Sequence, residues 1–302
     1  MPDKIAREMR PSYLILLIVM NCFWAGSLSI YKELANYLSV GSIVTLRFGL
    51  AAVILGALWP WLPGKAPRGF DLLKTLVMGL VVFMLGHRLQ VLGNKLGTAG
   101  DSSVLMATEP LLTSVAAAIF LSEHIGPRRW LGFVLGLFGV ALLKGFLRDN
   151  FDPASLGAGL IFMSSFLCEA VYSIMGKRLI ERSGMVKILA LALAFGTLAN
   201  LAIDGPATWE SVRVMPPRLW WLIIYLSTIC TAIGYAVWFV VIKETDVNIV
   251  ALTIFAQPVA GVAIAWLWLH ESLHWGQFWG SAAIVAGLVL GLSRQVKTPV
   301  SG

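Results

Sequence analysis

The chain of 302 residues is 58% hydrophobic and only 13% charged, with a formal net charge of +7. A soluble domain carries about 25% charged residues, and a chain this apolar has too few polar side chains to cover its surface in water. Its lysines and arginines lie in short segments between apolar runs, which excludes a continuous nucleic-acid-binding stripe. The composition therefore indicates an integral membrane protein.

Ten apolar segments are predicted to cross the membrane as helices, since about 20 apolar residues span roughly 30 Å of hydrocarbon. Strands are excluded because a lipid-exposed sheet edge would leave backbone groups without hydrogen bonds. The first segment has a basic start but no cleavage site after it, so it is predicted to be a retained helix and not a signal peptide. The segments are Ser12–Ile30, Ser42–Trp61, Leu72–Leu92, Ala99–Leu121, Trp130–Phe146, Leu156–Met175, Ile188–Ile203 (short and rich in alanine), Leu219–Ile242, Ile249–Leu269 and Phe278–Leu292.

The distribution of basic residues predicts the orientation of these segments. With the N-terminus inside, 15 of the 23 lysines and arginines fall in inner segments or at the inner end of a span, 6 in outer loops or at the outer end of a span, and 2 (Arg47 and Arg88) deeper within spans. Basic residues are enriched in cytoplasmic loops of membrane proteins. Both termini are therefore predicted to be cytoplasmic, in a multi-pass protein of the cell (inner) membrane.

The second half of the chain repeats the first. Most matches occur at a constant offset of 148 residues, whereas the first and sixth segments align at an offset of 145, with Lys32 opposite Lys177 and Leu34 opposite Leu179. The clearest pairs at the offset of 148 are Gly86/Gly234, Pro110/Pro258, Glu123/Glu271, Gly132/Gly280 and Gly139/Gly287. Because five helices per unit is an odd number, the second unit must enter the membrane from the opposite side. The sequence predicts two inverted five-helix repeats, residues 1–150 and 151–302, a common plan among secondary transporters.

Each unit contains a span with a mid-helix proline, a glutamate at its end, a short loop and a glycine-rich span. The two copies read EPLLTSVAAAIFLSEHIGPRRWLGFVLGLFGVALL (Glu109–Leu143) and QPVAGVAIAWLWLHESLHWGQFWGSAAIVAGLVLG (Gln257–Gly291). This pattern resembles the repeat unit of the EamA family in the drug/metabolite transporter superfamily. The resemblance implies ten helices around a central cavity, cytoplasmic termini and, in many members, export of amino acids, metabolites or toxic compounds. It identifies a fold and leaves the substrate open.

Ionisable side chains within the spans are candidates for the transport pathway, because a charge in hydrocarbon costs at least ~2.5–3.5 kcal/mol on insertion scales. Glu109 and Glu169 lie near the middle of their spans, whereas Arg47 and Arg88 lie toward outer ends, where snorkelling is feasible. An ion pair between Arg88 and Glu109 is the alternative to a role in substrate binding. Glu169 has no evident basic partner at its depth. Because burial favours the neutral form of a carboxylate, Glu169 is predicted to bind substrate or a proton.

Aromatic and amide side chains complete the predicted site. An aromatic wall beside a carboxylate suits a cationic or amphipathic solute through cation–π attraction, although membrane proteins also use tryptophan as an interfacial anchor. The predicted substrate contacts are Trp24, His87, Arg88, Gln90, Glu109, Glu169, Tyr172, Tyr235, Trp238 and Gln257.

Other matched positions are predicted to be structural. The paired glycines allow close helix packing, and Pro110 and Pro258 kink their helices or free a carbonyl. Glu123 and Glu271, which end their spans, are expected to accept hydrogen bonds from N–H groups at the start of the next helix. Cys22, Cys168 and Cys230 lie inside apolar runs, which predicts free thiols and not disulfides.

Together these features predict a secondary transporter that exports an amino acid, metabolite or amphipathic drug-like solute by alternating access, with proton coupling as one option. No Walker-type GxxxxGK[ST] motif and no zinc-ligand spacing occurs, so neither a cofactor nor a metal site is predicted, and the chain is not expected to be an enzyme. The expected partners are a small-molecule substrate and the lipid bilayer, without nucleic acid. The sequence does not distinguish a monomer from a dimer.

Two other functions stay open at this stage. A membrane-embedded lipid-modifying enzyme would need a polar catalytic cluster in longer loops than these. A non-transporting accessory subunit would not need deep carboxylates, so its function would survive neutral replacement of Glu109 and Glu169.

Overall fold

A computed structural model describes residues 9–97, 102, 105–143, 153–260 and 275–292. All regular secondary structure in these ranges is helical. We number the helical segments α1 (Pro11–Leu34, broken at Gly26), α2 (Val40–Ala57), α3 (Phe70–Leu96), α4 (Glu109–Leu121), α5 (Pro127–Leu143), α6 (Pro153–Leu179), α7 (Met185–Val214), α8 (Leu219–Glu244), α9 (Val247–Ala260) and α10 (Trp275–Leu292).

Six of the described helices, α1, α2, α3, α6, α7 and α8, are long and apolar enough to cross a membrane. Large apolar side chains such as Val53, Ile119, Leu160 and Trp221 are exposed on the helix surfaces, an arrangement that is stable against lipid and not against water. The expectation of an all-helical, multi-pass membrane protein is confirmed for the described residues. Parts of the predicted fourth, fifth and ninth spans lie outside them, and the count of ten spans stays a prediction.

The seventh predicted span is too short. Helix α7 runs from Met185 to Val214, past the end predicted at Ile203, and leaves helical geometry only at Asp204. Pro206 lacks the N–H that would bond one turn back, which accounts for a local break. Beyond the proline the residues take helical geometry again, up to Val214.

Two pairs of irregular turns occur at corresponding places in the two halves. A π-helical segment interrupts α3 at Gly79–Gly86 and α8 at Thr228–Ile233. A 3₁₀ turn ends just before Glu109 and another spans Thr253–Phe255, each shortly before a proline. Because α4 begins at Glu109, Pro110 lies in its first turn, where a missing N–H costs least. Each of the two prolines therefore lies a few residues after a tightened turn.

The matched glycines pack helix α5 against α10. A Cβ atom on Gly132 would lie 2.8 Å from the carbonyl oxygen of Gly287, and one on Gly139 would lie 2.6 Å from that of Gly280. Real Cβ atoms do not approach so closely, so the two backbones meet only because Gly132, Gly139 and Gly287 lack side chains. The predicted packing role of the glycines is confirmed.

Glu123, in the loop between α4 and α5, ties that loop to two other helices. Its carboxylate accepts hydrogen bonds from the backbone N–H groups of Val247 and Asn248, at 2.9 and 3.0 Å, and from Lys177 Nζ at 2.8 Å. Arg129 Nη1 donates to Asn248 Oδ1 at 2.5 Å. We call Glu123, Arg129, Lys177 and Asn248 the Glu123 network.

The expectation that Glu123 caps a helix is correct in kind but wrong in partner. The helix it caps is α9, in the second half of the chain, and not α5, which follows directly. The loop between α4 and α5 folds toward the end of α6 and the start of α9, which a reading along one span does not reveal. Its repeat counterpart, Glu271, lies outside the described residues.

Candidate functional site

A pocket opens among the helices, with about 720 Å³ of empty space including its mouth. Helices α1, α2, α3, α4, α6, α8 and α9 all contribute side chains to its wall. Nine of the ten predicted substrate contacts line it: Trp24, His87, Gln90, Glu109, Glu169, Tyr172, Tyr235, Trp238 and Gln257.

The wall of the pocket draws on equivalent positions of the two sequence repeats. Fourteen of its sixteen residues form pairs at the offsets of 148 and 145. The pairs are His87/Tyr235, Gln90/Trp238, Met106/Ile254, Glu109/Gln257, Trp24/Glu169, Ser27/Tyr172 and Leu28/Ser173. Arg47 and Thr113 are the remaining two. In six of the seven pairs the two side chains differ in chemistry, Met106/Ile254 being the exception, so the pocket is symmetric in position and asymmetric in character.

Trp24 is held deep in the bundle and not at an interface. Its indole Nε1 donates to the carbonyl oxygen of Cys230 at 2.7 Å, and its ring contacts those of Tyr235 and Trp238 at centroid distances of 6.2 and 6.1 Å. A Cβ atom on Gly234 would lie 2.8 Å from Trp24 Cζ2. Gly234, matched to Gly86 in the repeat, is therefore required for the position of the indole.

His87, Glu169 and Tyr235 form a triad of mutually close polar atoms. His87 Nε2 lies 3.1 Å from Tyr235 Oη and 3.2 Å from Glu169 Oε1, and Tyr235 Oη lies 3.2 Å from the same carboxylate oxygen. Glu169 does have a titratable nitrogen beside it, so the expectation that it lacks a basic partner is wrong. The partner is a histidine on another helix, which a comparison of lysines and arginines by depth overlooks.

The triad has room for one additional proton. A carbonyl oxygen can only accept, so the 3.0 Å contact between His87 Nδ1 and the carbonyl oxygen of Val82 assigns the ring hydrogen to Nδ1. With His87 neutral and Glu169 ionised, the Tyr235 hydroxyl supplies one hydrogen for three contacts, and Nε2 faces Oε1 with two lone pairs. A proton on either atom turns that contact into a hydrogen bond. The geometry thus suits a shared proton.

Glu109 differs from Glu169 in how it is held. Within the part of the chain that the structure describes, its carboxylate makes no hydrogen bond or ion pair, although it lines the pocket. Its repeat counterpart Gln257 donates from Nε2 to Asn21 Oδ1 at 2.9 Å, and Asn21 donates to the carbonyl oxygen of Leu17 at 2.8 Å. Glu109 is therefore available to a bound solute, whereas Gln257 is fixed by the protein.

Arg88 is the predicted contact that does not line the pocket. It donates to Asn200 Oδ1 at 2.7 Å and forms a salt bridge with Asp204, both on α7. The sequence left open an ion pair between Arg88 and Glu109, and Arg88 pairs with Asp204 instead. Its true partner was missed because Asp204 follows the residue at which the seventh span was expected to end.

Arg47 lines the pocket and was not among the predicted contacts. Its side chain is 3% exposed, with Nε donating to Thr231 Oγ1 at 2.8 Å and Nη1 donating to the hydroxyl of Tyr31. The expectation that it snorkels outward is wrong. The available signal was weak: Arg47 lies two turns inside α2, far enough from the helix end to stay among neighbouring helices.

The site offers no metal-binding cluster in the residues described: no three His, Cys, Asp or Glu side chains converge there. The three cysteines are free thiols, as predicted. The arrangement suits binding of an organic solute, with an aromatic wall, two carboxylates, a guanidinium and several hydroxyl and amide groups. Most ligand pockets combine an apolar wall with a few polar groups in this way.

Comparisons with known proteins agree with the resemblance found in the repeats. The model of the EamA-like transporter family matches residues 11–144 and 156–293. An uncharacterized transporter of Archaeoglobus fulgidus is 26% identical over 284 residues, covering 93% of this chain and 97% of the relative. A protein of Streptantibioticus cattleyicolor named "probable terminal-alkyne amino-acid exporter" is 23% identical over 289 residues, covering 94% and 96%.

A solved crystal structure shares the fold. It superposes with a TM-score of 0.74 at 16% sequence identity, covering 95% of this chain and 99% of the other. The names of the family and of the relatives point to transporters rather than enzymes, and the matches extend over nearly the whole chain. The chain is thus a multi-pass membrane protein that belongs to the EamA-like transporter family, whose members carry small solutes.

Proposed function

We propose that this protein is a secondary transporter of ten membrane-spanning helices, built as two inverted halves (residues 1–150 and 151–302), which exports a small organic solute by alternating access. The observation that carries the proposal is the composition of the pocket wall. Fourteen of sixteen lining residues pair across the repeat, so the pocket lies where the halves meet. Secondary transporters with inverted repeats bind their solutes in that position.

The packing of α5 on α10 supports a two-fold relation between the halves. The contact between Gly132 and Gly287 becomes the contact between Gly280 and Gly139 when each residue is replaced by its repeat counterpart. A contact set that maps onto itself in this way is expected of two units related by a two-fold axis. Five helices per unit places that axis in the membrane plane and makes the repeat inverted.

Matching contacts at the two ends of the bundle support alternating access. Lys177 Nζ donates to the carbonyl oxygen of Thr245 at 2.9 Å, and Lys32 Nζ donates to that of Gly97 at 2.5 Å. These two contacts correspond under the repeat offsets. Equivalent contacts at opposite ends allow the halves to exchange conformations, so that the pocket opens to one side and then to the other. The excess of basic residues assigns the end with Lys177 to the cytoplasm of the cell (inner) membrane.

The chemistry of the wall and the name of one relative suggest the class of solute. Trp24, Trp238 and Tyr172 form an aromatic surface beside charged groups of both signs, which suits an amphipathic solute. The relative from Streptantibioticus cattleyicolor is named an amino-acid exporter. We therefore assign an amino acid or a related metabolite as the solute, and export as the direction.

The triad of His87, Glu169 and Tyr235 supports coupling to protons. Its one-proton site opens on the same pocket as the solute. If the protonated triad and the charged solute exclude each other, a proton gradient drives export. Glu169→Gln removes the exchangeable proton while leaving a side chain of the same shape.

The test is solute counterflow in liposomes that contain the purified protein, under an imposed pH gradient, with radiolabelled amino acids, amines and sugars. Counterflow of at least one amino acid or amine is expected, and it should fall strongly in the double variant Glu109→Gln with Glu169→Gln. An accessory subunit would give no counterflow with any of these compounds. That result would overturn the proposed function.

A further inference from the structure

The guanidinium of Arg47 is the buried charge in the pocket wall that has no acidic partner of its own. Arginine stays protonated in proteins and offers five N–H donors in a planar fork. Two of the Arg47 donors bond to neutral hydroxyls, those of Thr231 and Tyr31. No carboxylate among the described residues lies within 4.0 Å of it, whereas Arg88, the other arginine within a predicted span, pairs with Asp204.

The carboxylates that share the pocket are not placed to neutralise Arg47 directly. Glu169 is engaged by His87 and Tyr235, and Glu109 forms no salt bridge in the described part of the chain. A buried guanidinium without a carboxylate or phosphate against its fork leaves its strongest interaction unmade. The pocket wall therefore carries a positive group on α2 that can still bind an anion.

The neighbours of Arg47 hold its side chain in one direction. The ring of Phe48 lies 5.0 Å from the guanidinium carbon and that of Tyr31 lies 5.6 Å from it. The hydrogen bonds of Nε and Nη1 to Thr231 and Tyr31 hold the guanidinium at two of its three nitrogens, and Nη2 makes no hydrogen bond or ion pair with a described residue. A fixed fork loses little freedom when it binds an anion.

We propose that Arg47 binds a carboxylate of the transported solute, and that Glu109 receives the amino group of the same molecule. This inference rests on the proposed function and narrows it. Arg47 would then require a carboxylate, so that simple amines, hydrophobic cations and sugars are poor solutes. The apolar part of the solute lies against Trp24 and Trp238, which occupy the same pocket.

The competing role for Arg47 is electrostatic support of Glu169, without contact to solute. The two roles differ in what happens to solutes that lack a carboxylate. If Arg47 only supports Glu169, its replacement lowers transport of an amino acid and of its decarboxylated amine alike. If Arg47 binds the carboxylate, its replacement lowers transport of the amino acid only. Matched pairs of solutes therefore separate them.

The experiment measures counterflow of L-phenylalanine against phenethylamine, and of L-leucine against isoamylamine, in liposomes with wild-type protein, Arg47→Lys or Arg47→Gln. The double variant Arg88→Gln with Asp204→Asn, which removes the other intramembrane arginine as a neutral pair, is the matched control. Replacing a charge-assisted contact by a neutral one predicts a KM for the amino acid that rises about 10- to 100-fold in Arg47→Gln. Arg47→Lys keeps the charge and loses the planar fork, so its KM for the amino acid should lie between those of the wild-type protein and Arg47→Gln. The KM for the amine should stay within about twofold.

A measurement on wild-type protein covers the case in which Arg47→Gln does not fold. Phenylalanine methyl ester, which keeps the amine and ring but lacks the carboxylate, should inhibit phenylalanine counterflow at least about 10-fold more weakly than unlabelled phenylalanine does. Three results would each overturn the role of Arg47 and leave transport intact. The methyl ester could inhibit phenylalanine counterflow as strongly as phenylalanine does. Arg47→Gln could lose counterflow of the amino acid and of the amine equally, or the wild-type protein could exchange amines in preference to amino acids. Absence of counterflow with every member of the panel overturns the proposed function instead.

Discussion

The Glu123 network makes a quantitative prediction about opening of the pocket. Its carboxylate is 6% exposed and accepts from two backbone N–H groups, from Lys177 Nζ and from Asn248 Nδ2 at distances of 2.8 to 3.0 Å. On α6, Lys177 lies one helical turn, about 6 Å, from the pocket residue Ser173. The network therefore joins the loop after α4 to α6 and α9 close to one end of the pocket.

Glu123→Ala is predicted to favour the conformation that is open at this end. Removal of one partner from a buried ion pair costs roughly 3–5 kcal/mol, because it leaves the other charge buried without compensation. Lys177 is 21% exposed and also faces Asp246 Oδ1 at 3.8 Å, so the cost is lower, about 1.5–3 kcal/mol, as for the loss of hydrogen bonds to a charged group. Separation of the helices returns Lys177 and the N–H groups of α9 to water and relieves that cost. The equilibrium between closed and open should thus shift by roughly 10- to 100-fold.

Cysteine labelling measures this shift. Thr113 lines the pocket and is 2% exposed, so Thr113→Cys in a background with the three native cysteines replaced by alanine reports access to the pocket. A membrane-impermeant maleimide applied from the side predicted to be cytoplasmic should label it much faster in Glu123→Ala than in the parent. Glu244→Gln is the matched control. Its salt bridge with Arg10 is exposed at 42% and 67%, and such pairs contribute about 0–1 kcal/mol.

Two outcomes would refute this reasoning. Unchanged labelling in Glu123→Ala would mean that the network does not hold the end closed. Equal acceleration from both sides of the membrane would mean that the variant loosens the whole bundle and does not open one end.

Three further predictions follow from the packing and the triad. Glu169→Gln should abolish accumulation driven by a pH gradient while counterflow at equal pH persists, and an unchanged response to pH would refute the proton site. Gly234→Ala should lower transport several-fold because the new methyl group meets the Trp24 indole. The control is Gly56→Ala, because nothing lies within 4 Å of a Cβ atom at that position. Equal transport activity of the two variants would contradict the argument. Gly139→Val should destabilise the α5–α10 pair by about 1–3 kcal/mol, seen as a lower melting temperature in detergent, and an unchanged melting temperature would count against that packing.

Much of the fold could be predicted from the sequence because its signals are local or periodic. Hydrophobic runs of the length of a bilayer mark the helices, and the repeat offset of 148 links positions that lie in corresponding turns. The offset also explains why nine of the predicted contacts meet in one pocket. Residues chosen near the middle of their spans, in both halves, converge when two similar units face each other.

The errors concern partners on other helices. Arg88 pairs with Asp204, and the sequence hid this pair because Pro206 and Asp204 look like the end of a span, whereas α7 continues through them. Glu169 meets His87, but depth along a span does not say which faces of α3 and α6 meet. The position of Arg47 toward the end of its span made snorkelling feasible. Only the arrangement of α2 beside α8 shows that Thr231 holds it inside.

The divergence between repeat partners is what the proposed one-way export requires of a scaffold with two similar halves. Had both halves kept the same side chains, each end of the pocket would present the same groups, and a solute would bind equally in either orientation. In this chain His87 meets Tyr235, its own repeat counterpart, at 3.1 Å, so two different groups face each other at equivalent positions of the repeat. Glu109 opposite Gln257 and Trp24 opposite Glu169 extend the same asymmetry. Backbone packing, by contrast, keeps the matched glycines at corresponding contacts. The two parts of the molecule therefore differ: the glycine packing of α5 on α10 is symmetric under the repeat, and the side chains that line the pocket are not.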